Sequence, residues 1–231
     1  MIQQLEWDSD FWGIKTGRLN LRKEFFVPAN LNEFEFVYIF SDRLLNQEEL
    51  SQVDGKIYLA DEKRVYLKML NRETALQNSN IVSFSAERAI SERLYDLAIQ
   101  SGHYSRFSLD PHLPKDGFKQ LYRTWLERSV SRAIADDVLV FETDNIIRGF
   151  ITLGIKNNRP DIGLVAVHSE DRSMGIGSHL LQSAELWALN NSHNNEIQVV
   201  TQGANTGACN FYERNSYSVD TVTYIYHYWN K

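Results

Sequence analysis

Read for the spacing of its apolar positions, the chain is clearest from Ile81 onward. Ile81–Ser85 alternates as a short strand. From Ser85 or Ala86 to Gly102, Ala89, Leu94, Leu97 and Ala98 recur at the interval that lays one apolar stripe along a helix. After a loop holding Pro111 and Pro114, a second amphipathic helix is predicted from about Gly117 to Ala135, with Leu121, Trp125 and Val130 facing inward. Three strands follow, Val138–Glu142, Ile147–Ile155 and Asp161–Val167, the first two separated by a turn at Asp144 and Asn145. The third flows into a glycine-containing loop, Arg172–Gly177, and a helix to about Asn190 whose Leu180, Leu181, Ala184, Trp187 and Ala188 share one face. A strand at Ile197–Thr201, a short helix around Thr206–Arg214 and a strand at Ser218–Trp229 complete the order β-α-α-β-β-β-α-β-α-β.

Residues 1–80 carry a weaker pattern. Arg18–Leu21, Phe36–Phe40, Ile57–Leu59 and Val65–Leu70 read as strands and Asp42–Gln52 as a helix. Asn71–Asn80 is polar and poor in large apolar residues, so a boundary between two lobes is expected there. The length of 231 residues agrees, since about 150 residues make a typical domain. With 12 Gly and 4 Pro there is little material for a long flexible linker, and the lobes should pack together.

Composition narrows the chemistry. With 43% hydrophobic and 23% charged residues the chain can build a core. A net charge of -6 argues against a nucleic-acid binder, whose affinity needs a basic face, so any polyanionic ligand must be held locally. The single cysteine, Cys209, excludes an internal disulfide and a cysteine zinc cage; it fits a reducing compartment and reads as a small buried residue, because a nucleophilic cysteine would need a paired histidine. None of the six histidines stands in a metal-ligand spacing, so no metal is expected. Met1–Trp12, with Glu6, Asp8 and Asp10, lacks the basic start and apolar run of a signal peptide, and no run of roughly 18 apolar residues suits a membrane span. A cytoplasmic location is expected, with no membrane partner.

The local anion site is legible at Arg172-Ser173-Met174-Gly175-Ile176-Gly177, an R-x-x-G-x-G loop between a strand and a helix. Glycines let successive backbone N–H groups turn toward one point, and a helix N-terminus adds partial positive charge, so a pyrophosphate can dock there. A Walker loop would need Lys after the second glycine, and the dinucleotide fingerprint a third glycine and an early position in the chain. Both are missing.

These residues resemble the GNAT superfamily of acyl-CoA-dependent N-acyltransferases, whose signature [RQ]-x-x-G-x-[GA] follows the fourth strand and is matched in full by Arg172–Gly177. Asn205 to Tyr212 is similar to the family's N-x-x-A-x-x-F-Y motif. The family usually follows its tyrosine with Gly and an aromatic residue, whereas Asn215-Ser216-Tyr217 has Ser in the Gly place. A narrower likeness, to dTDP-fucosamine acetyltransferase and similar enzymes of nucleotide-linked amino-deoxysugars, is carried by Leu5–Gly13, Ser105-Arg106-Phe107, Tyr122–Val130, Arg148-Gly149, Ile162–Leu164 and Thr201-Gln202 with Asn205. It spans nearly the whole chain.

The resemblance implies an α/β GNAT acyltransferase fold with a tandem arrangement: residues 1–78 an incomplete GNAT-like copy contributing to a sugar-nucleotide site, residues 79–231 the catalytic domain. It implies acyl-CoA as co-substrate, with backbone groups of Val165 and Val167 bonding the pantetheine amides and Asn205 touching it from the opposite strand. The pyrophosphate would take N–H groups of Met174, Gly175, Ile176 and Gly177, with Arg172 or Ser178 nearby. Acyl transfer to an amine needs a neutral nucleophile, an electrophilic carbonyl beside it and a proton for the departing thiolate. Tyr212 matches the family's general acid. Glu62 is the carboxylate matching a base, with its neighbour Asp61 or substrate-assisted transfer as alternatives. Arg106 is implied for the diphosphate of a dTDP-linked amino-6-deoxysugar, since a guanidinium forks onto phosphate oxygens, and Phe11, Trp12 and Tyr122 for stacking on thymine or sugar. The acyl group, acetyl or 3-hydroxybutyryl, and the position of the amine, C-3 or C-4, stay open, as does pairing into a homodimer. The expected role is in surface polysaccharide synthesis. An acetyltransferase of protein or small-molecule amines and a non-catalytic CoA-binding module are the alternatives.

Overall fold

The computed structural model describes residues 1–21, 24–71, 79–114 and 116–230. Among the described residues ten strands form one mixed sheet in the order β1-β2-β3-β10-β4-β9-β8-β7-β6-β5. They are β1 (Gln3–Gln4), β2 (Thr16–Leu21), β3 (Phe36–Ser41), β4 (Lys56–Met69), β5 (Ile81–Ser83), β6 (Asp137–Thr143), β7 (Ile146–Lys156), β8 (Arg159–Val167), β9 (Glu196–Gln202) and β10 (Ser218–Trp229). The helices are α1 (Glu6–Trp12), α2 (Gln47–Ser51), α3 (Glu92–Ser101), α4 (Arg106–Leu109), α5 (Gly117–Val130), α6 (Ile176–Asn191) and α7 (Thr206–Arg214).

Helix α6 buries Leu180, Leu181, Ala184 and Ala188 against Ile151, Leu153, Ile162 and Val199 on one face of the sheet. On the other, Leu94, Leu97 and Ala98 of α3 and Leu126 and Val130 of α5 cover Val138, Val140 and Phe150. The last strand, β10, lies between β3 and β4, so Tyr226 and Tyr228 pack with Leu19, Val37 and Ile39 from the start of the chain. This is the expected α/β fold, and from Ile81 the order follows the pattern with two short additions, the single turn α4 and a 3-10 turn at Ser169–Asp171.

Several boundaries differ for local reasons. The helix expected from Ser85 or Ala86 starts at Glu92, because Ser91 takes an extended conformation and its side chain accepts from Leu94 N. The helix expected to reach Ala135 ends at Val130, and Arg132 turns into the left-handed region at φ 62°. The helix expected over Asp42–Gln52 shrinks to α2, whose start is fixed by a capping box between Asn46 and Glu49. Ile57–Leu59 and Val65–Met69 are not two strands but parts of β4, which continues through Ala60-Asp61-Glu62-Lys63-Arg64 and ends one residue before Leu70. Those polar residues are held by a neighbour on each side: β10 pairs along the strand, with a bulge at Ala60, and β9 pairs from Lys63. Helix α1 and strand β1 were not foreseen. Of the boundary expected at Asn71–Asn80, residues 72–78 lie outside the described residues.

Candidate active site

Strands β8 and β9 run parallel but pair only at Asp161↔Gln198 and Ile162↔Val199. Beyond that point β8 stays with β7 and β9 stays with β4, so the two part. The register of β8 on β7 shifts between Ile151↔Val165 and Leu153↔Ile162. Thr152 Oγ1 holds this bulge by accepting from Leu164 N at 2.8 Å. A Cβ on Gly163 would stand 2.8 Å from the same oxygen, so the close approach requires glycine. The gap forms a cavity of about 700 Å³ reached from both faces of the sheet: Gln100, Ser101, His103 and Tyr104 line it from the end of α3, and Asn205, Phe211 and Tyr212 from α7.

The loop after β8 supplies one wall. Ser173 and Gly175 take positive φ, 64° and 78°, which turns the chain sharply into α6. No side chain among the described residues caps α6, which leaves the N–H groups of its first turn without a capping acceptor there, and Gly175, Ile176, Gly177 and Ser178 line the cavity. The loop is anchored by Asp171, whose buried carboxylate receives Arg148 Nη1 at 2.6 Å and Arg93 Nη2 at 3.0 Å. Two guanidiniums on one carboxylate leave the loop's surroundings favourable to an anion. Arg172 Nε donates to Val167 O at 3.4 Å, and with its amide turned to suit its neighbours Gln100 accepts from Arg172 Nη2 at 2.9 Å.

The opposite wall is α7. Asn205 caps it, Oδ1 accepting from Ala208 N at 3.1 Å. Phe211 packs so closely on the glycine loop that a Cβ on Gly177 would come within 3.0 Å of its ring. Tyr212 is 3% exposed and stands between the rings of Tyr66 and Tyr217, at centroid distances of 5.6 and 5.9 Å. Those neighbours are themselves fixed: Tyr66 donates to Glu213 at 3.0 Å and Tyr217 to Glu185 at 3.2 Å, the latter also bound by Lys68 at 2.7 Å. Burial, with a smaller contribution from Cys209, pushes the Tyr212 phenol well above its ordinary range, so it is protonated at neutral pH.

Of the residues singled out by sequence, Val165, Val167, Arg172, Gly175, Ile176, Gly177, Ser178, Asn205 and Tyr212 line this cavity together. Met174 projects from the loop tip, 65% exposed. Glu62 stands on β4 beside the end of β9, its backbone oxygen accepting from Gly203 N at 2.7 Å and its carboxylate paired with Arg64 at 2.7 Å. Arg106, Phe11, Trp12 and Tyr122 gather in a separate aromatic cluster. There the Arg106 guanidinium lies over the rings of Phe107 and Tyr38, 4.2 and 4.9 Å from their centroids, and its buried Nε has no partner among the described residues. Trp12 Nε1 donates to Tyr38 Oη at 3.1 Å, and that hydroxyl donates to Asp8 at 3.2 Å. The sequence alone does not point to Asp171, Arg93, Gln100 or the Thr152 bulge, and it offers Arg148 only as part of the likeness.

Residues 94–217 match the model of the acetyltransferase (GNAT) family. Over 139 residues the chain is 24% identical to the spore coat polysaccharide biosynthesis protein SpsD of Bacillus subtilis, a stretch covering 60% of this chain and 47% of that protein. The chain thus spans about half the length of the curated relative it matches. Among solved structures it is similar to a functionally unknown conserved protein from Staphylococcus epidermidis, with a TM-score of 0.56 and 13% identity over 86% of this chain and 74% of that one. It is also similar to a tandem GNAT protein from the clavulanic acid biosynthesis pathway, with a TM-score of 0.54 and 9% identity over 85% and 64% of the two chains. With the family model covering more than half of its length, and the glycine loop, the parted strands and Tyr212 all inside the matched span, the chain belongs to the acetyltransferase (GNAT) family.

Proposed function

We propose that the protein is an acyl-CoA-dependent N-acyltransferase whose acceptor is the amino group of a dTDP-linked amino-6-deoxysugar. The observation that carries the reading is the juxtaposition, across one gap in the sheet, of an uncapped helix N-terminus and a buried, protonated tyrosine. The first offers N–H groups to a pyrophosphate. Val165 and Val167 border the gap where β8 has lost β9 as a neighbour, which suits backbone bonding to an extended amide-bearing arm. Tyr212 then supplies the proton that the departing thiolate takes up, while Asn205, with its oxygen committed to the cap, keeps its amide N–H groups for the arm.

The sugar acceptor is supported by the likeness of the chain to a polysaccharide biosynthesis protein and by the aromatic cluster next to the α3–α4 loop. Arg106 is the cation of that cluster, with an unspent buried N–H for a diphosphate, and half-buried Phe11 is the ring beside it that a base or sugar could reach, Trp12 and Tyr122 being buried behind it. Removing the proton from the sugar ammonium falls to one of two adjacent carboxylates, Glu62 or Asp61, which β4 presents to opposite faces. Surface polysaccharide synthesis and a cytoplasmic setting belong to the same proposal. The test is a thiol-release assay crossing dTDP-3-amino and dTDP-4-amino sugars with acetyl-CoA and 3-hydroxybutyryl-CoA. Release with one such pair is expected. Turnover of peptide or polyamine acceptors with none of the sugars would overturn the acceptor class, and failure to bind coenzyme A at the glycine loop would overturn the whole reading.

A further inference from the structure

Alternation along β4 sorts its side chains. Tyr66 and Lys68 meet Glu213 of α7 and Glu185 of α6, so the even positions from Glu62 to Lys68 face those helices. Asp61 and Lys63 therefore face the opposite side, toward α4, where both feel the charge of Arg106. Their pairing with Ile225 and Thr223 of β10 is regular, which sets their Cα atoms about 7 Å apart on one face. The pair lies beside the gap rather than in its lining: Lys63 pairs with Gln202, the last residue of β9, and the loop that lines the cavity at Ser101, His103 and Tyr104 runs directly into Arg106.

The two carboxylates differ in what they are free to do. Glu62 is tied to Arg64. Asp61 is 8% exposed, yet among the described residues no cation comes within ion-pair distance of it. Arg106 lies behind it but is itself buried among rings and shares its field with Asp8 and Tyr38. The charged groups acting on Asp61 are thus Arg106 from α4 and Lys63 and Glu62 from its own strand; burial outweighs the two cations and lifts its carboxyl to about 6. Lys63 is half-buried, makes no ion pair among the described residues, and feels positive charge from Lys156, Arg106 and Arg18 and negative charge from Asp161. In a chain of net charge -6, four cations, Lys63, Lys156, Arg106 and Arg18, gather here around two carboxylates, Asp61 and Asp161.

Resting on the function proposed above, we infer that Asp61 takes the proton from the acceptor's ammonium while Lys63 binds its phosphate, so that the pair selects an amine carrying a phosphate group. The first proton of the ammonium passes to the Asp61 carboxylate and on to water. The freed amine attacks the thioester carbonyl; the N–C bond forms and the C–S bond breaks. Sulfur receives the Tyr212 proton, and the phenolate regains one from the nitrogen that has become an amide. One proton is released per turnover.

The test uses the full chain, acyl-CoA and the dTDP-amino sugar that it turns over. Asp61→Asn is expected to lower kcat/KM about 100-fold or more and to remove the acid limb of its pH profile near pH 6, while Asp61→Glu restores that limb. Lys63→Met is expected to weaken dTDP binding to the CoA-loaded protein about tenfold by calorimetry, with dTDP binding to Asp61→Asn unchanged. Coenzyme A should bind all three variants as it binds the wild type, which shows that they are folded. An acid limb that survives in Asp61→Asn overturns the base assignment, and unaltered dTDP binding by Lys63→Met overturns the phosphate contact. A wild-type protein that binds coenzyme A but neither binds dTDP nor acylates such sugars overturns the acceptor reading itself, and this inference with it.

Discussion

Two residues show how environment decides what a side chain can do. Tyr212 is one of 11 tyrosines, and its residue type says nothing about a role. What sets it apart is a largely buried side chain at the wall of the gap, its phenol kept protonated by its surroundings and its ring braced by Tyr66 and Tyr217. Tyr212→Phe keeps the ring and deletes the proton donor, so kcat should fall by about 10²–10⁴-fold while coenzyme A affinity and melting temperature stay as in the wild type. A parallel loss of affinity would mean that the hydroxyl serves binding. Four residues on, Ser216 stands where the family carries glycine and takes φ 67°, a conformation that costs a residue with a Cβ. It is exposed, and its N–H donates to Glu213 O at 3.0 Å, a bond that glycine can also make. Ser216→Gly should therefore stabilise the protein by about 0.5–1 kcal/mol, read as a shift of the urea midpoint at constant slope.

At the scale of elements, the site is a consequence of how β8, α6 and α7 meet, and the tightest point of that meeting is Gly177 against Phe211. A valine at 177 must push the ring away, and Phe211 neighbours Tyr212 on the same helix. Overpacking of this kind costs about 1–3 kcal/mol, so Gly177→Val should weaken coenzyme A binding about tenfold or more and lower kcat as well. Gly175→Ala meets no atom closer than 3.8 Å and is strained only through its φ of 78°; a smaller loss is expected, and calorimetry of the two variants orders them. The glycine loop and α7 were legible in the sequence because their signals are local: apolar spacing, a capping asparagine, glycines at a turn. β4 was not, since Ala60–Arg64 interrupts its apolar alternation and is held in the sheet only by β9 and β10. The anchoring of the loop by Asp171 joins it to Arg93, 78 positions away, and no spacing in the sequence encodes that pairing. The same holds for Arg106, whose neighbours Asp8, Tyr38 and Asp61 come from three distant segments.

For the molecule as a whole, the decisive feature is that its last strand lies among its first ones, so closing the sheet requires β10 to dock beside β3 and β4. A buried polar contact fastens this arrangement: His227 of β10 meets Asp110, just after α4, with Nδ1 2.5 Å from the carboxylate, and Trp229 Nε1 donates to the same oxygen at 3.1 Å. Burial lowers the imidazole to about 4 despite the carboxylate beside it, whereas Asp110, although buried, is drawn down to about 2 by hydrogen bonds from His227 and the backbone of His112. The folded pair is thus a neutral histidine donating to an ionised aspartate. For a group whose pKa is depressed on folding, the unfolded chain binds the proton first as pH falls, so stability drops through the interval between the two values. For His227 that interval runs from 6.5 to about 4, a loss of about 3 kcal/mol, and Asp110 adds its own loss below its ordinary 3.8. The urea midpoint of the wild type should fall steadily from pH 6.5 to 4. His227→Gln keeps an N–H for Asp110 and has no imidazole to protonate, so it should start less stable at pH 7 yet show a flatter profile over that interval. Equal slopes for the two proteins would mean that acid acts elsewhere and that the docking of β10 does not depend on the charge state of this pair.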